Sequence, residues 1–332
     1  MTPTLREYCS MKKKLLLVAT GGTISAGMDD KITGYVSKRS GEELISGLAL
    51  EDHPLEVVDF RKINSTYMTP ADMLALGELL RDSLRRDDVA GAVVTHGTST
   101  LEETAFLLDL LIHTGKPVVL TGSQRPASAA WPDGPSNLSA AFRIAGDPAA
   151  IDQGVLVAFA GRIYAGRDVY KIHTTALEAF ACGEVGFVYP DRVIIKGTRR
   201  ERFALKWPGR ELPPVDIIPF YSGADGKYFR AALEAGLSGL VVEGLGMGNV
   251  NEAYYEGIKK AREAGLTVVL TTRCFSGRVV PYYGYPGGGV SLKKLGVVFG
   301  GSLSSAKARI LLMLSLAAGH GPGELQDIFD KL

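Results

Sequence analysis

Apolar runs at Leu15 to Ala19, Leu55 to Phe60, Gly91 to Thr95, Pro117 to Thr121 and Gly154 to Phe159 alternate with amphipathic stretches at Gly41 to Leu48, Pro70 to Arg85, Leu101 to Ile112 and Pro135 to Ala145. Nothing else in the chain restricts the fold as strongly. A strand-helix-strand succession predicts an α/β protein built on a parallel sheet covered by helices, a doubly wound sheet. Right-handed crossovers then line up the loop after each strand along one edge, and sheets of this kind bind ligands there.

Beyond Gly161 the pattern shortens into β-rich pieces at Arg162 to Tyr164, Tyr170 to His173, Phe187 to Tyr189 and Val193 to Lys196. The proline-rich stretch Lys206 to Asp216, KWPGRELPPVD, reads as a linker. A second αβ series follows, with strands at Ile217 to Phe220, Gly239 to Val242 and Thr267 to Thr271. Its helices are expected at Tyr228 to Ala235, Glu252 to Ala264, Ser304 to Ala317 and Gly323 to Lys331. A chain of 332 residues exceeds what one core usually holds. We therefore expect a larger N-terminal domain carrying the chemistry over residues 11–205, a linker over 206–216, and a smaller C-terminal α/β domain over 217–332. The ten residues before Met11 read as a tail, with Met11 an alternative start, because LLLVA is too short for a signal segment.

Composition removes several classes of function. A net charge of +1, from 37 basic and 36 acidic residues, exerts no pull toward nucleic acid or an acidic membrane. No apolar run is long enough to span a bilayer. Three scattered cysteines without a CxxC spacing point to a reducing, cytoplasmic compartment rather than a disulfide framework or zinc knuckle. His53, His96, His113, His173 and His320 show no metal-ligand spacing, and HExxH and DxDxDG do not occur, so metal dependence is not expected.

Three segments carry candidate chemistry. Thr20-Gly21-Gly22-Thr23-Ile24-Ser25 follows the first strand directly; its glycines allow a sharp turn and close approach to a ligand, although a plain turn explains it too. It is not a phosphate loop, because neither GxxxxGK[ST] nor GxGxxG is present. Thr95-His96-Gly97-Thr98-Ser99-Thr100-Leu101-Glu102-Glu103 ends another strand and opens a helix. Ser99 or Thr100 can cap that helix, and free N–H groups at such a terminus can also hold an oxyanion. His96 suggests a Ser/His dyad, but no GxSxG elbow accompanies it, and a structural histidine is the simpler reading. Gly166 to Thr174, GRDVYKIHT, is either a solvated hairpin or a device that aims Lys171 at the two threonine loops. A lysine beside a threonine accepts its proton once burial depresses the ammonium pKa.

These pieces together resemble the bacterial-type L-asparaginase and glutaminase-asparaginase family. The matching strings are ATGGTIS at 19–25, THGTSTLEETA at 95–105, TGSQRP and DGPSNL within 121–138, GRDVYKIHTTALEAF at 166–180, GLGMGN at 244–249 and SLSSAKARILLMLSLA at 302–317. The resemblance covers residues 11–332 and implies a two-domain asparaginase-like fold, cofactor-free hydrolysis of a small-molecule amide through a threonine acyl-enzyme, and a homodimer or homotetramer with sites at the subunit boundary. By position it implies Thr23 as nucleophile, assisted by Tyr35 in the mobile Met28 to Ser40 segment, with Thr98 and Lys171 as a second catalytic pair. Ser65 matches the residue that holds the substrate α-carboxylate, and Asn249 a supporting polar residue; Gly22, Thr66, Gly97, Ser99 and Gln124 complete the expected substrate contacts.

One departure changes the chemistry. The family motif normally reads HGTDT, and its aspartate grips the substrate α-ammonium; here it reads HGTST, with Ser99 at that position. The partner subunit's helping glutamate falls near Gly284, and residues 264–322 contain no Asp or Glu. Losing one partner of a buried ion pair costs roughly 3–5 kcal/mol. We therefore expect a substrate without a free α-ammonium: a succinamate-like amide, an N-substituted asparagine, or a cyclic amide or lactone. Without that aspartate the Lys171 pKa is also expected to fall. Two other readings stay open at this point: an acid such as Asp168 compensates and ordinary asparaginase activity survives, or the fold binds a small ligand without turnover. Gln124, Trp131, Pro132 and the cluster Tyr282, Tyr283 and Tyr285 suggest a reshaped pocket, though tyrosines so grouped also serve interface packing.

Overall fold

The run KLLLVATG forms the first strand, β1 (Lys14–Gly21), with Leu15 to Val18 no more than 3% exposed. This computed structural model describes residues 13–29, 31, 33–48, 53–196, 203–209 and 211–332; the expected tail before Met11, the Met11 start and Cys9 lie outside them. The chain divides into two compact units between Ala204 and Leu205.

In the first unit β1 leads to an antiparallel ribbon, β2 (Ala26–Asp29) and β3 (Gly34–Ser37), a feature the alternating pattern did not announce. There follow α1 (Gly41–Ile45), β4 (Leu55–Ile63), α2 (Pro70–Leu84), β5 (Val89–Thr95), α3 (Leu101–Leu111), β6 (Val118–Thr121), α4 (Gly134–Gly146) and β7 (Val155–Phe159). The helix α2 starts where its sequence says it should: Thr69 and Asp72 form a reciprocal capping box, and Pro70 occupies the first turn. After β7 come β8 (Arg162–Ala165), the short pair β9 (Tyr170–Lys171) and β10 (Phe180–Ala181), then β11 (Glu184–Val188) and β12 (Val193–Ile195). The main sheet has eight strands in the order β12-β11-β8-β7-β6-β5-β1-β4.

The strands β4, β1, β5, β6 and β7 are parallel, whereas β8, β11 and β12 join antiparallel. The sheet grows from β1 to β4 on one side and from β5 to β7 on the other. That reversal opens a crevice beyond the carboxyl ends of β1 and β5, the place where open α/β sheets bind ligands. One face of the sheet packs Leu15, Leu17, Val93, Val119 and Leu156 against Leu138 and Phe142 of α4. Helices α2 and α3 lie on the other face, packed on each other and on β5 and β7. Burial from both sides is why these strands read as continuous apolar runs.

The second unit holds a parallel sheet, β13 (Val215–Pro219), β14 (Gly239–Gly244), β15 (Thr267–Thr272) and β16 (Val298–Phe299), in that spatial order. Its helices are α5 (Lys227–Glu234), α6 (Glu252–Glu263), α7 (Gly289–Lys294), α8 (Ser305–Ala317) and α9 (Pro322–Phe329). Tyr254 anchors the core between Phe220 and Phe229, at centroid distances of 4.8 and 5.1 Å, and its hydroxyl donates to the Pro219 carbonyl. β13 begins at Val215, inside the stretch 206–216 read as a linker. Sequence reading missed α7 and β16, because a two-residue strand carries no periodicity. Strand order here follows chain order, so this sheet has no reversal of the kind found at β1.

Candidate active site

The loop after β1 is built to touch the loop after β5. Gly22 has φ +81°, and a Cβ placed on it meets the Gly97 N and Cα atoms at 2.5 Å. Gly97 in turn presses on Ser65: a Cβ there meets the Ser65 Oγ at 2.5 Å. Hydrogen bonds bolt the three loops together. Thr20 Oγ1 donates to the Thr95 carbonyl (2.8 Å), Gly22 N to the Ile63 carbonyl (3.0 Å), and Thr100 Oγ1 to the Ser65 carbonyl (2.9 Å). The last bond corrects an expectation. Thr100 is the N-cap residue of α3, yet neither its side chain nor Ser99 caps the helix, because the Thr100 hydroxyl is spent on the neighbouring loop. Glu102 and Glu103 in the first turn meet the positive helix end instead.

Thr23 begins one turn of 3-10 helix and is half-buried. Its hydroxyl makes no hydrogen bond among the described residues, whereas the next hydroxyl in the turn is committed: Ser25 Oγ donates to the Gly22 carbonyl (3.0 Å) and pairs with Ser37 Oγ on β3.

Thr98 is 6% exposed and stands between two partners. Lys171 Nζ donates to its Oγ1 at 2.7 Å across 73 residues of sequence, and its own hydroxyl donates to Gln124 Oε1 at 3.4 Å. Lys171 lies on β9, opposite Phe180 of β10, and its backbone N–H donates to Glu102 Oε2. Burial pushes the Lys171 ammonium pKa below its ordinary value, and the Glu102 carboxylate opposes that shift. The direction is the expected one, and the burial invoked for a lysine beside a threonine is its largest cause. A lysine so placed, once neutral, can take a proton from Thr98 or from a molecule beside it.

The Gln124 loop is held by two residues that sequence reading did not assign to the site. Asp133 accepts from the Gln124 and Arg125 N–H groups at 3.0 and 2.9 Å. Asn137 donates to the Gly122 carbonyl (3.0 Å) and accepts from the Ala160 N–H (3.0 Å). An Asp and an Asn one helical turn apart at the start of DGPSNL were the signal that could have found them. Gln124 Nε2 and Ser65 Oγ are buried without hydrogen-bond partners, a cost of about 1–3 kcal/mol each unless a ligand satisfies them.

His96 is structural. It is fully buried; its Nδ1–H donates to the Gly97 carbonyl (2.8 Å), and its Nε2 accepts from Thr104 Oγ1 (3.0 Å). Burial lowers its pKa from 6.5 to about 4. The unfolded chain therefore takes up a proton below pH 6.5 that the folded chain refuses until about pH 4. Stability should be full above the upper value and fall by about 3 kcal/mol through that window. Urea titrations across that range should show a shallower loss in His96→Gln than in the wild type. Equal slopes would mean that His96 is not the buried neutral group described.

Other expected site residues are placed as follows. Ser99 and Thr66 are exposed, Thr66 in the turn Ser65–Tyr67. Tyr35 stands on β3 opposite Met28, 55% exposed, with no side-chain hydrogen bond among the described residues. Asn249 belongs to the second unit, bridged to Leu245 through both main-chain bonds (2.9 and 2.8 Å). Asp168, the acid weighed as a substitute, pairs with Arg167 at 3.6 Å. Tyr282, Tyr283 and Tyr285 are exposed and packed on each other in the second unit, with centroids 5.2 and 5.8 Å apart. Among the described residues no cluster of His, Cys, Asp and Glu could hold a metal ion, and no helix is long and apolar enough to cross a membrane.

Comparison with known proteins bears on this geometry. Residues 14–198 match the family model "Asparaginase, N-terminal", and residues 214–329 match "Glutaminase/Asparaginase C-terminal domain". The chain is 38% identical to L-asparaginase 2 of Bacillus subtilis (strain 168) over 330 residues, 95% of this chain and 85% of that one. It is 36% identical to the L-asparaginase of Bacillus licheniformis over 314 residues, 93% and 97% of the two chains. Among solved structures, the probable cytoplasmic L-asparaginase from Campylobacter jejuni superposes with a TM-score of 0.88 at 31% identity, covering 96% of this chain and 99% of that one.

Proposed function

The chain belongs to the asparaginase family of amidohydrolases, which cleave C–N bonds, and from that premise we propose that it hydrolyses a small carboxylate-bearing amide lacking a free α-ammonium. Thr23 Oγ1 adds to the amide carbonyl. Its proton goes to the leaving nitrogen, the C–N bond breaks, and ammonia departs from a threonyl ester. Water then adds to the ester carbon, the bond to Thr23 breaks, and the proton lost by water returns to the Thr23 oxygen. Neutral Lys171, acting through Thr98, is the base for these transfers, with Tyr35 as the shuttle on the ribbon that Ser37 ties to the Thr23 turn. The N–H groups from Gly97 into α3, left without a side-chain cap, suit the oxyanion. Ser65 Oγ, buried and unpartnered, suits the substrate carboxylate, together with Thr66 and Gln124.

A single observation carries the substrate reading: position 99 holds a neutral, exposed serine, while Glu102 is engaged with the Lys171 main chain. An ammonium placed there has no carboxylate of its own to meet. The alternative, ordinary hydrolysis of L-asparagine to L-aspartate and ammonia, is favoured by the names of the two Bacillus relatives. Product release from L-asparagine, N-acetyl-L-asparagine, succinamate, succinimide and a small lactone separates the two. The substrates without a free ammonium should lead L-asparagine in kcat/KM by about tenfold or more. Ser99→Asp should raise L-asparagine kcat/KM by roughly ten- to a hundredfold, less than a fully buried pair would give because Ser99 is exposed. If L-asparagine leads and Ser99→Asp changes nothing, the ordinary activity is the right one. No release from any compound favours a binding protein. The same premise supports a homodimer or homotetramer with the site at a subunit boundary, measurable by light scattering, and the name of the Campylobacter relative supports a cytoplasmic setting.

A further inference from the structure

We propose that Glu102 is the positioning residue of the Thr98–Lys171 pair, fixing the Lys171 main chain and supplying the pair with the negative charge that position 99 does not. The inference rests on Lys171 and Thr98 acting as proposed above. Its basis is geometric. Lys171 sits on a two-residue strand whose ladder partner, β10, is equally short, and beyond it the pairing continues only through the Ile172 and His173 N–H groups, which both donate to the Ala179 carbonyl (2.8 and 3.3 Å). The bond from the Lys171 N–H to Glu102 Oε2 supplies a further anchor, because Glu102 projects from the first turn of α3, a rigid and almost wholly buried helix. Thr98 precedes that same helix. One helix terminus therefore fixes both members of the pair, and the 2.7 Å contact between Nζ and Oγ1 is set by it.

The carboxylate also acts by charge. Burial drives Lys171 toward the neutral form, and Glu102 is the group that works against burial. Glu102 is the charged group that acts on the ammonium, and the nearby charged side chains have partners of their own. Arg167 pairs with Asp168, Arg162 with Glu184 and Glu178, and His173 Nδ1 accepts the Thr175 and Ala176 N–H groups. Glu103, the other acid of the first turn, has partners of its own. Removing the charge at 102 destabilises the ammonium, so the lysine should deprotonate at lower pH.

The test follows the Lys171 side chain of the full chain by 13Cε-lysine NMR, its signal assigned by disappearance in Lys171→Met. Ammonia release from L-asparagine and from succinamate is measured in parallel. Glu102→Gln keeps an oxygen for the Lys171 N–H but removes the charge. It should lower the Lys171 midpoint by about half to one unit and move the rising limb of the pH–rate profile down with it. Adding Ser99→Asp to Glu102→Gln should return the midpoint upward. Glu102→Ala also loses the anchor, and its kcat should fall about tenfold below that of Glu102→Gln with little change in KM. An unmoved midpoint in Glu102→Gln, or a Glu102→Ala enzyme as fast as Glu102→Gln, overturns the assignment. If Lys171→Met is inactive and Glu102→Gln unmoved, this inference alone falls. If Lys171→Met keeps the wild-type rate, the catalytic pair falls with it.

Discussion

A Thr23→Ala variant is expected to release ammonia at least about a thousandfold more slowly than the wild type while folding normally. The two halves of that result have separate causes. Rate is lost because a covalent route needs an oxygen at that place, and the neighbouring hydroxyl cannot replace it: Ser25 Oγ is held by the Gly22 carbonyl and Ser37. Stability is kept because the Thr23 hydroxyl bonds to nothing among the described residues and the side chain is only half-buried, so its removal leaves no orphaned partner. The measurements are steady-state ammonia release and a thermal melt, with Thr98→Ala alongside. Activity within tenfold of wild type would remove Thr23 as nucleophile and leave Thr98, already paired with Lys171, as the residue to examine.

Gly22→Ala is expected to cost about 3–5 kcal/mol of folding stability and to inactivate whatever folds. A left-handed backbone accounts for only part of this, roughly 1 kcal/mol. The larger part is steric. The new methyl meets the Gly97 N and Cα at 2.5 Å and the His96 carbonyl carbon at 3.0 Å, and backbone cannot turn aside as a flexible side chain can. The chain contains its own control. Gly47 has the same φ of +81° with nothing within 4 Å of its Cβ position, so Gly47→Ala should cost only the conformational part. Urea unfolding of both variants isolates the contact between the loops. Equal costs would mean that the β1 and β5 loops do not press together, and the site would lose its foundation.

Much of this site can be read from residues close in sequence. The strand-then-TGGT and strand-then-HGTS junctions put both threonines on one edge, and strand burial on two faces made those junctions visible. What sequence reading got wrong or missed depends on distant neighbours. A capping hydroxyl was expected from Ser99 or Thr100, but the Ser65 carbonyl, 35 residues away, takes the Thr100 hydroxyl. His96 is different: its structural reading came from the sequence, and its burial against Thr104 and Gly97 agrees with it. The lowered Lys171 pKa was expected from burial as well as from an absent carboxylate; desolvation is its largest cause, and the depth of that burial is set by the packing around the lysine. The β2–β3 ribbon and strand β10 are too short to leave a period of two in the sequence, although β9 falls inside the β-rich piece Tyr170 to His173.

Local chemistry, then, determined which segments are strands, which loops carry hydroxyls, and which position has exchanged an acid for a serine, because periodicity, turn residues and charge act between near neighbours. The order of the strands was left to the tertiary structure. With β4 on one side of β1 and β5 on the other, the crevice opens where Gly22 meets Gly97. The pairing of Lys171 with Thr98 and Glu102 was decided there as well. Contacts of that kind are selected by packing the whole sheet and its helices at once, a condition no short window of residues contains.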